Sequence, residues 1–224
     1  RAVAVEGANA ARLAHEHALP PGALFVNASH CHAAVAPDVA DRVVAAVAEA
    51  AGRLEPVRVG AGAAREARIS EHRRVDLVDG TQIDMRRAYA MPPDEAIAAT
   101  APIDPQVGIL KLDRIDGTPL AVVSVFACHP IMNPPRRGSS ADFPAVAATV
   151  VEEALGHGAV SLFVQGCGGD INPVRYKEVD RPADAEPLGA LYAGTLLGAL
   201  PGTATAASGA PAAVATPGSA PRRV

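Results

Sequence analysis

Three short segments of the sequence place imidazole, carboxylate or glycine backbone directly after an apolar run. These segments are residues 27–32, 128–130 and 165–173. An apolar run of this kind is typical of a buried strand, and α/β proteins build their sites in the crevice where such strands end. Side chains of these types bind metal ions and move protons, so the pattern favours a metal-dependent hydrolase.

The histidines are the first candidates for a metal site. His30 and His32 could serve one ion if the backbone turns between them, and His129 ends a second strand. The alternatives are a pair of polar loop histidines and, for His129, a single hydrogen-bonded histidine before a proline. Neutral imidazoles suit Zn²⁺, and a catalytic zinc ion lowers the pKa of its bound water to about 7.

Two carboxylates are candidates for a further metal ligand because of their positions. Asp142 follows the loop after His129, and Asp170 follows the glycine-rich turn at residues 166–169. Each has a structural alternative, since Asp142 can cap a predicted helix and Asp170 can accept hydrogen bonds from the amides of the turn. The turn itself can donate backbone amides to an oxyanion or to an anionic ligand group.

Cysteine chemistry gives a rival hypothesis. Cys31 and Cys128 adjoin histidines, but neighbours along a strand face apart, so a nucleophilic Cys-His pair would have to form across strands. Buried, unreactive cysteine is the interpretation that we favour. Three cysteines in the whole chain do not make a disulfide framework, which favours a reducing, cytoplasmic compartment.

The elements between these segments alternate between helices and strands. Helices are predicted at residues 1–17, 39–51, 146–155 and 184–200. Strands are predicted at residues 24–26, 57–68, 107–112, 120–126 and 160–164. This order predicts an α/β domain over residues 1–200, with a mixed β-sheet flanked by helices and the site at the strand ends.

Two stretches lack such periodicity. Residues 70–105 are polar and aperiodic, which predicts a long excursion that forms a lid or one wall of the site. Residues 201–224 are rich in Ala, Gly and Pro and are predicted to be a disordered tail. The abrupt opening of the chain is consistent with a missing upstream strand or targeting segment.

Composition excludes several classes of partner. The net charge of −4 and the absence of Lys/Arg blocks argue against nucleic acid, because phosphate binding needs clustered cations. No apolar run reaches the ~20 residues of a membrane span. The abundance of Ala and Val suits a GC-rich bacterial genome.

The motifs together resemble the neutral/alkaline (non-lysosomal) ceramidase family, N-terminal domain. Asn-Ala-Ser-His-Cys-His at residues 27–32 resembles that family's Ser-Ala-Thr-His-Thr-His element. Phe-Ala-Cys-His-Pro at 126–130 and Ser-Ala-Asp at 140–142 resemble its Phe-Ala-x-His and Ser-x-Asp elements. Gly-Asp-Ile-Asn-Pro at 169–173 resembles its Gly-Asp-Val-Ser-Pro. The similarity spans most of residues 1–200 and indicates a divergent, truncated member.

The resemblance implies a zinc amidase that cleaves an N-acyl bond with metal-activated water. It makes His30 and His129 zinc ligands and His32 a polarising or proton-handling group. By a looser alignment, Arg73 orients the substrate or stabilises the oxyanion, with Arg74 as its substitute.

Further positions follow from the same resemblance. Gly169, Asp170 and Asn172 would lie at the substrate, and Asn172 replaces a family serine with a side chain that has no hydroxyl to lose. The family completes its zinc site with a glutamate and a tyrosine from later in the chain, which this sequence does not reach. Asp142, Asp170 or His32 could take their place.

We therefore expect a zinc-dependent hydrolase of an N-acyl amide, acting on a small-molecule or lipid substrate of the kind found in sphingolipid metabolism. The alternative is a non-catalytic, ceramidase-like binding or structural domain with a degenerate metal site. A third hypothesis keeps catalysis but changes the bond or the ion.

Overall fold

Helices and strands alternate along the part of the chain that the structure describes. The structure is a computed structural model, and it describes residues 16, 25, 27–30, 32, 37–84, 92–132, 140–173 and 184–207. The helices are α1 (Val39–Ala51), α2 (Asp142–Leu155) and α3 (Ala185–Ala199). The strands are β1 (Val57–Arg65), β2 (Ser70–His72), β3 (Arg74–Leu77), β4 (Gln82–Asp84), β5 (Ile97–Thr100), β6 (Gln106–Arg114), β7 (Pro119–Phe126), β8 (Val160–Gln165) and β9 (Ile171–Pro173). Turns of 3₁₀ helix span Asp94–Ala96 and Leu200–Gly202.

The chain divides into two compact units. The first comprises residues 1–26, 36–55 and 208–224 and contains α1, and the second comprises residues 27–35 and 56–207. Helix α1 confirms the predicted helix, ending at Gly52, whose N–H bonds to carbonyls of the last turn. Asp38 holds the N-cap position, but its carboxylate binds Arg42 (2.9 Å) instead of a helix amide. None of the described helices is long and apolar enough to cross a bilayer.

A four-stranded sheet forms the centre of the second unit. Its strand order is β1-β6-β7-β8, with antiparallel pairing except between β7 and β8, which run parallel. Helix α2 connects these two parallel strands, and α3 contacts both α2 and β1. The mixed sheet and its helices confirm the predicted α/β class. Two smaller sheets have the orders β2-β9 and β4-β3-β5.

The β6–β7 hairpin confirms the predicted pair of adjacent strands. Its turn contains Gly117 at a φ of 88°, a conformation that glycine adopts without steric cost. Asp116 supports the turn by accepting a hydrogen bond from the amide of Thr118 (2.9 Å). The hairpin ends with Phe126, so the turn chemistry sets the register that leads β7 into the candidate site.

Several elements differ from the prediction. The expected irregular stretch 70–105 contains four short strands and a 3₁₀ turn, because β2 pairs with the distant β9 and β3 pairs with both β4 and β5. Helix α2 begins at Asp142, four residues earlier than predicted. Residues 201–207 of the predicted tail are ordered, since Ala206 bridges Val59 and Thr205 donates to Asp113 (2.8 Å). Three predictions fall on residues outside the described part of the chain. They are the disorder of residues 208–224, the helix at 1–17 except for Glu16, and the strand at 24–26 except for Phe25.

The core lies between the central sheet and the α2–α3 pair. Phe126, Phe143 and Tyr192 are its largest aromatic members, with ring centroids 5.3 Å apart for Phe126 and Tyr192 and 6.2 Å for Phe143 and Tyr192. Gly189 of α3 lets the two helices approach, because a Cβ at this position would lie 2.9 Å from the carbonyl oxygen of Phe143 and closer still to Val146.

Replacing Gly189 with alanine should destabilise the fold by about 1–3 kcal/mol, because overpacking outweighs the gain in helix propensity. Gly194→Ala is the matched control, since a Cβ there meets nothing within 4 Å and should stabilise α3 by about 0.4–1 kcal/mol. Urea unfolding of both variants measures the two changes. Equal changes would show that α2 and α3 do not pack at Gly189.

Glu66 connects the end of β1 to α3 from a fully buried position. Its Oε1 accepts hydrogen bonds from the Arg68 amide (2.8 Å) and Nε (2.9 Å), and its Oε2 pairs with Arg68 Nη2 and accepts from Thr195 Oγ1 (2.5 Å). Burial alone would raise the pKa of Glu66. The hydrogen bonds from Arg68 and Thr195 outweigh burial and hold this pKa below its ordinary value.

A carboxylate whose folded-state pKa is lowered stabilises the fold above its unfolded pKa, and the stabilisation is lost as the pH falls through the folded value. We expect Glu66→Gln to lower the free energy of unfolding at pH 7 by about 1–3 kcal/mol. Its deficit relative to the parent should shrink as the pH falls below about 4.5, near the unfolded pKa of a glutamate. Denaturant unfolding between pH 7 and pH 3.5 tests this, with the exposed Glu153→Gln as control. A deficit independent of pH would contradict the argument.

Candidate metal centre

Three histidines from distant parts of the sequence converge in the second unit. The donor nitrogens that His30, His32 and His129 offer all lie within 4.8 Å of one another. The ring centroid of His129 lies 4.5 Å from that of His30 and 5.3 Å from that of His32. His129 is buried while the other two are exposed, so the group opens outward from a buried base. The structure thus brings together the two predicted zinc ligands and the predicted proton-handling residue.

Asn27 positions the segment that carries His30 and His32. Its Nδ2 donates to the carbonyl of Gln165 (3.0 Å), and its Oδ1 accepts from the amide of the same residue (2.9 Å). This side chain therefore pairs with the end of β8 as the backbone of a neighbouring strand would. The chain then turns at His30, where φ is 57°, an uncommon value for a residue other than glycine. That turn meets the condition under which both histidines can serve one ion.

His129 is oriented by the backbone of β9. Its amide donates to the carbonyl of Ile171 (2.9 Å), and its Nδ1 lies 3.0 Å from the same oxygen. A carbonyl oxygen only accepts, so Nδ1 carries the proton and Nε2 keeps its lone pair. Metal-binding histidines commonly donate their second ring N–H to a backbone carbonyl in this way. The tautomer of His129 is therefore the one that presents Nε2 to an ion.

The pKa values of His32 and His129 are both lowered. Burial is the largest cause in each case, and the charges of His30 and Arg73 act in the same direction. For His129, the hydrogen bond to Ile171 opposes this shift in pKa without reversing it. Only the neutral imidazole binds a metal ion, so the lowered pKa values extend the pH range over which the group can do so.

Arg73 lies beside the histidine group and is held from two directions. Its amide donates to the carbonyl of Asp170 (2.8 Å), and its Nε lies 3.2 Å from Oδ1 of Asp84. The Nε contact is an ion pair and not a hydrogen bond, because its N–H is not aligned with the carboxylate. The Arg73 side chain is largely buried, whereas Arg74 is exposed on β3. Of the two candidates, Arg73 is the arginine whose charge acts on the histidines.

The predicted substrate-binding residues lie at the end of the glycine-rich turn and directly after it, outside the histidine group. Asp170 pairs with His72, with Oδ2 3.3 Å from Nε2. His72 Nδ1 faces Arg74, 3.1 Å from its amide nitrogen and 3.3 Å from its carbonyl oxygen, so Nε2 is the ring nitrogen that faces the carboxylate. Asn172 is buried in β9, and Gly169 has open space where a Cβ would be.

Asp142, the predicted additional ligand, also lies outside the histidine group. It is buried in the first turn of α2 with a φ of 55°. Its Oδ1 accepts from the amide of Phe143 (2.8 Å), and its own amide donates to Ser140 Oγ (3.0 Å). The carboxylate thus binds a backbone amide at the start of the helix, although Ala141 holds the N-cap position and no side chain caps this helix.

The glycine-rich turn offers fewer amides than the sequence suggested. The amide of Gly166 donates to Phe126 (2.9 Å), and that of Gly168 donates to Gly166 (2.8 Å). These glycines are required by close packing, since a Cβ on Gly166 would lie 3.1 Å from backbone atoms at the end of β7. Neither amide is free to stabilise an oxyanion.

The thiols do not support the cysteine alternative. Cys128 is buried, and burial together with the charge of Asp142 raises the pKa of its thiol well above the ordinary value. Cys167 is exposed in the turn, and Cys31 lies outside the described residues. Cys128 is therefore an unreactive core residue.

The donor set fits a zinc ion. Zinc–nitrogen bonds of about 2.0–2.1 Å put two donors of a tetrahedral site roughly 3.3 Å apart. Donors within 4.8 Å of one another need shifts of roughly 1 Å each to reach that spacing. Three imidazoles with an open fourth position are the ligand set of one class of catalytic zinc site. The group could therefore hold a metal ion.

Two solved ceramidase structures share this fold. The crystal structure of neutral ceramidase from Pseudomonas aeruginosa has a TM-score of 0.63 and 19% identity, covering 87% of this chain and 34% of that chain. A structure of ceramidase complexed with C2 has a TM-score of 0.62 and 18% identity, covering 87% and 33%. No protein-family model and no curated protein matches the sequence. The fold is therefore ceramidase-like, and the chain spans about a third of the length of these ceramidases.

Proposed function

We propose that this protein is a zinc-dependent hydrolase of an N-acyl amide. The observation that carries the proposal is the convergence of His30, His32 and His129 within 4.8 Å. The ceramidase-like fold and the order of the sequence motifs support an amide as the bond that is cleaved. The lipid character of the substrate rests on the family resemblance alone.

The three histidines would hold the ion. His129 would bind through Nε2, because Nδ1 donates to the Ile171 carbonyl, and the turn at His30 would aim the two exposed imidazoles at the same point. His32 would serve as the third ligand in place of the proton-handling role that the sequence suggested. A zinc ion bound here would polarise the amide carbonyl and supply activated water near neutral pH.

Arg73 would stabilise the negative charge that develops on the amide oxygen. Its guanidinium is largely buried, and its charge acts in the direction that lowers the pKa values of His32 and His129. A preorganised cation in a partly water-excluded site is an effective oxyanion donor. This role replaces the one first considered for the Gly166 and Gly168 amides.

Asp84 would act as a positioning residue for Arg73. We expect Asp84→Asn to reduce kcat by roughly 3- to 10-fold, the effect of about 1 kcal/mol, while zinc content stays unchanged. The ¹⁵N chemical shift of Arg73 Nε should change in this variant, because the guanidinium loses its ion pair with Asp84. Asp76→Asn is the matched control, because Asp76 is an exposed carboxylate of the same small sheet, bonded to Gln82. Loss of zinc in Asp84→Asn would contradict the assignment.

The test of the function is hydrolysis by the protein before and after metal removal. The purified chain is assayed against N-acyl amides of different acyl length, treated with a chelator and then reconstituted with zinc. We expect turnover that disappears with the metal and returns with zinc. A folded protein that takes up zinc but hydrolyses none of the amides would favour another bond. One that takes up no zinc would favour the non-catalytic binding domain.

A further inference from the structure

A cleft of about 480 Å³ opens where β7 and β8 end. This volume is within the range of small-molecule sites. Gly108 and Val125, which are register partners on β6 and β7, form an apolar part of its lining. Val125 is 42% exposed, and Gly108 has no side chain to fill the space, so an apolar ligand could bury surface here.

The charged groups of the cleft are acidic. Asp104 and Asp170 line it, and His72 pairs with Asp170 through Nε2. The Asp104 carboxylate is held in place by the Gln106 amide (2.9 Å). The described lining residues include no lysine or arginine. The cleft therefore combines an apolar surface with two carboxylates.

The cleft adjoins the histidine group through β9. Ile171 lines the cleft, and its carbonyl accepts both the amide and Nδ1–H of His129. Asp170 lines the cleft as well, and its carbonyl accepts the amide of Arg73. The same two residues thus form one wall of the cleft and position the groups proposed to act on the amide.

Hydrolysis of an amide by water separates two halves of opposite charge. The C–N bond breaks, a C–O bond forms, and the products at neutral pH are a carboxylate from the acyl half and an ammonium ion from the amine half. Two carboxylates repel the first and attract the second. An apolar surface beside them suits an amine that carries an alkyl chain.

We propose that this cleft binds the amine half of the substrate, as an alkyl chain that ends at the scissile nitrogen. The inference rests on the proposed hydrolysis of an amide, and it adds which half of that amide the cleft selects. The acyl half then lies away from Asp104 and Asp170.

Hexylammonium and hexanoate are suitable probes because they share one alkyl chain and differ in charge. Each is titrated into metal-free protein at pH 8, and backbone amide shifts are followed by NMR. We expect hexylammonium to bind at least about 5-fold more tightly, with the largest shifts at Gly108 and Cys167. Equal binding, tighter binding of hexanoate, or shifts confined to other residues would overturn the proposal.

Two variants separate the charge from the apolar surface. Asp104→Asn should weaken hexylammonium binding several-fold and leave hexanoate unchanged or slightly improved. Gly108→Ala should weaken the binding of both probes, and its added Cβ would meet Val125 at an ordinary 3.7 Å, so the fold should tolerate it. Asp76→Asn, outside the cleft, is the control. Because the titration uses no metal, selective amine binding by a protein that never takes up zinc would contradict the proposed function and not the cleft.

Discussion

Replacing His129 with alanine should lower the affinity for zinc by more than about 100-fold. Loss of the hydrogen-bonding partner of a metal-binding histidine by itself lowers metal affinity about 10- to 100-fold. This variant removes both the ligand and its bond to Ile171. His30→Asn should lower the affinity for zinc by a similar factor. Asparagine tolerates the positive φ of His30 better than alanine does, so loss of zinc from that variant reports the lost imidazole and not backbone strain.

Zinc content after equilibration with a competing chelator measures both changes. His157→Asn is the matched control, because His157 is an exposed histidine outside the group that also has a positive φ. Thermal unfolding of the metal-free forms separates loss of a ligand from loss of the fold. Zinc affinity that survives in His129→Ala would place the ion elsewhere.

Arg73→Ala should lower kcat by about 10²- to 10³-fold while leaving zinc content unchanged. This is the range observed when one oxyanion donor is removed from an enzyme. Arg73→Lys keeps the charge but not the planar fork, so it should recover part of the activity and should not restore the contact with Asp84. Arg74→Ala is the control, since Arg74 is exposed and its replacement should leave kcat nearly unchanged.

Three other outcomes for Arg73→Ala would each contradict this role. A loss of zinc in Arg73→Ala would show that the guanidinium maintains the histidine group and does not act on the substrate. Unchanged kcat and KM would remove Arg73 from the mechanism. A change in KM alone would assign it to substrate binding, because an interaction made equally in the ground and transition states affects KM and not kcat.

Local patterns in the sequence predicted the elements with strong periodicity. The β6–β7 hairpin follows from two apolar runs around Asp116 and Gly117, and α1 follows from valines spaced by four residues. The strands β2 to β5 were not predicted because each is three or four residues long. Their pairing depends on distant partners, as when β2 joins β9, about 100 residues later.

In the candidate site, too, local patterns were predicted and contacts between distant residues were not. His30 and His129 were predicted because each follows an apolar run, whereas the supporting contacts are not local. Asn27 binds the backbone of Gln165, and His129 binds that of Ile171, so neither partner has a side-chain signature. The one available signal was the asparagine at the start of the histidine segment, since this residue type often pairs with backbone groups.

Asp142 and Asp170 illustrate why position alone did not identify the third ligand that we propose. Both follow strand ends and both are carboxylates, yet Asp142 binds the start of α2 and Asp170 binds His72. Each carboxylate thus binds a group close to it, a helix amide or a histidine, and not the histidine group. His32 reaches the group because the turn at His30 redirects the chain, and a turn with positive φ at a residue other than glycine has no clear sequence signal.

X-ray absorption spectroscopy of the zinc-loaded protein is the direct test of whether His30, His32 and His129 bind one zinc ion. We predict one zinc ion per chain whose spectrum contains three imidazole nitrogens at about 2.0–2.1 Å and one oxygen ligand, with one imidazole lost in His129→Ala. A folded protein that binds no zinc, or a bound ion with sulfur or mainly carboxylate ligands, would contradict the three-histidine site and the hydrolase built on it.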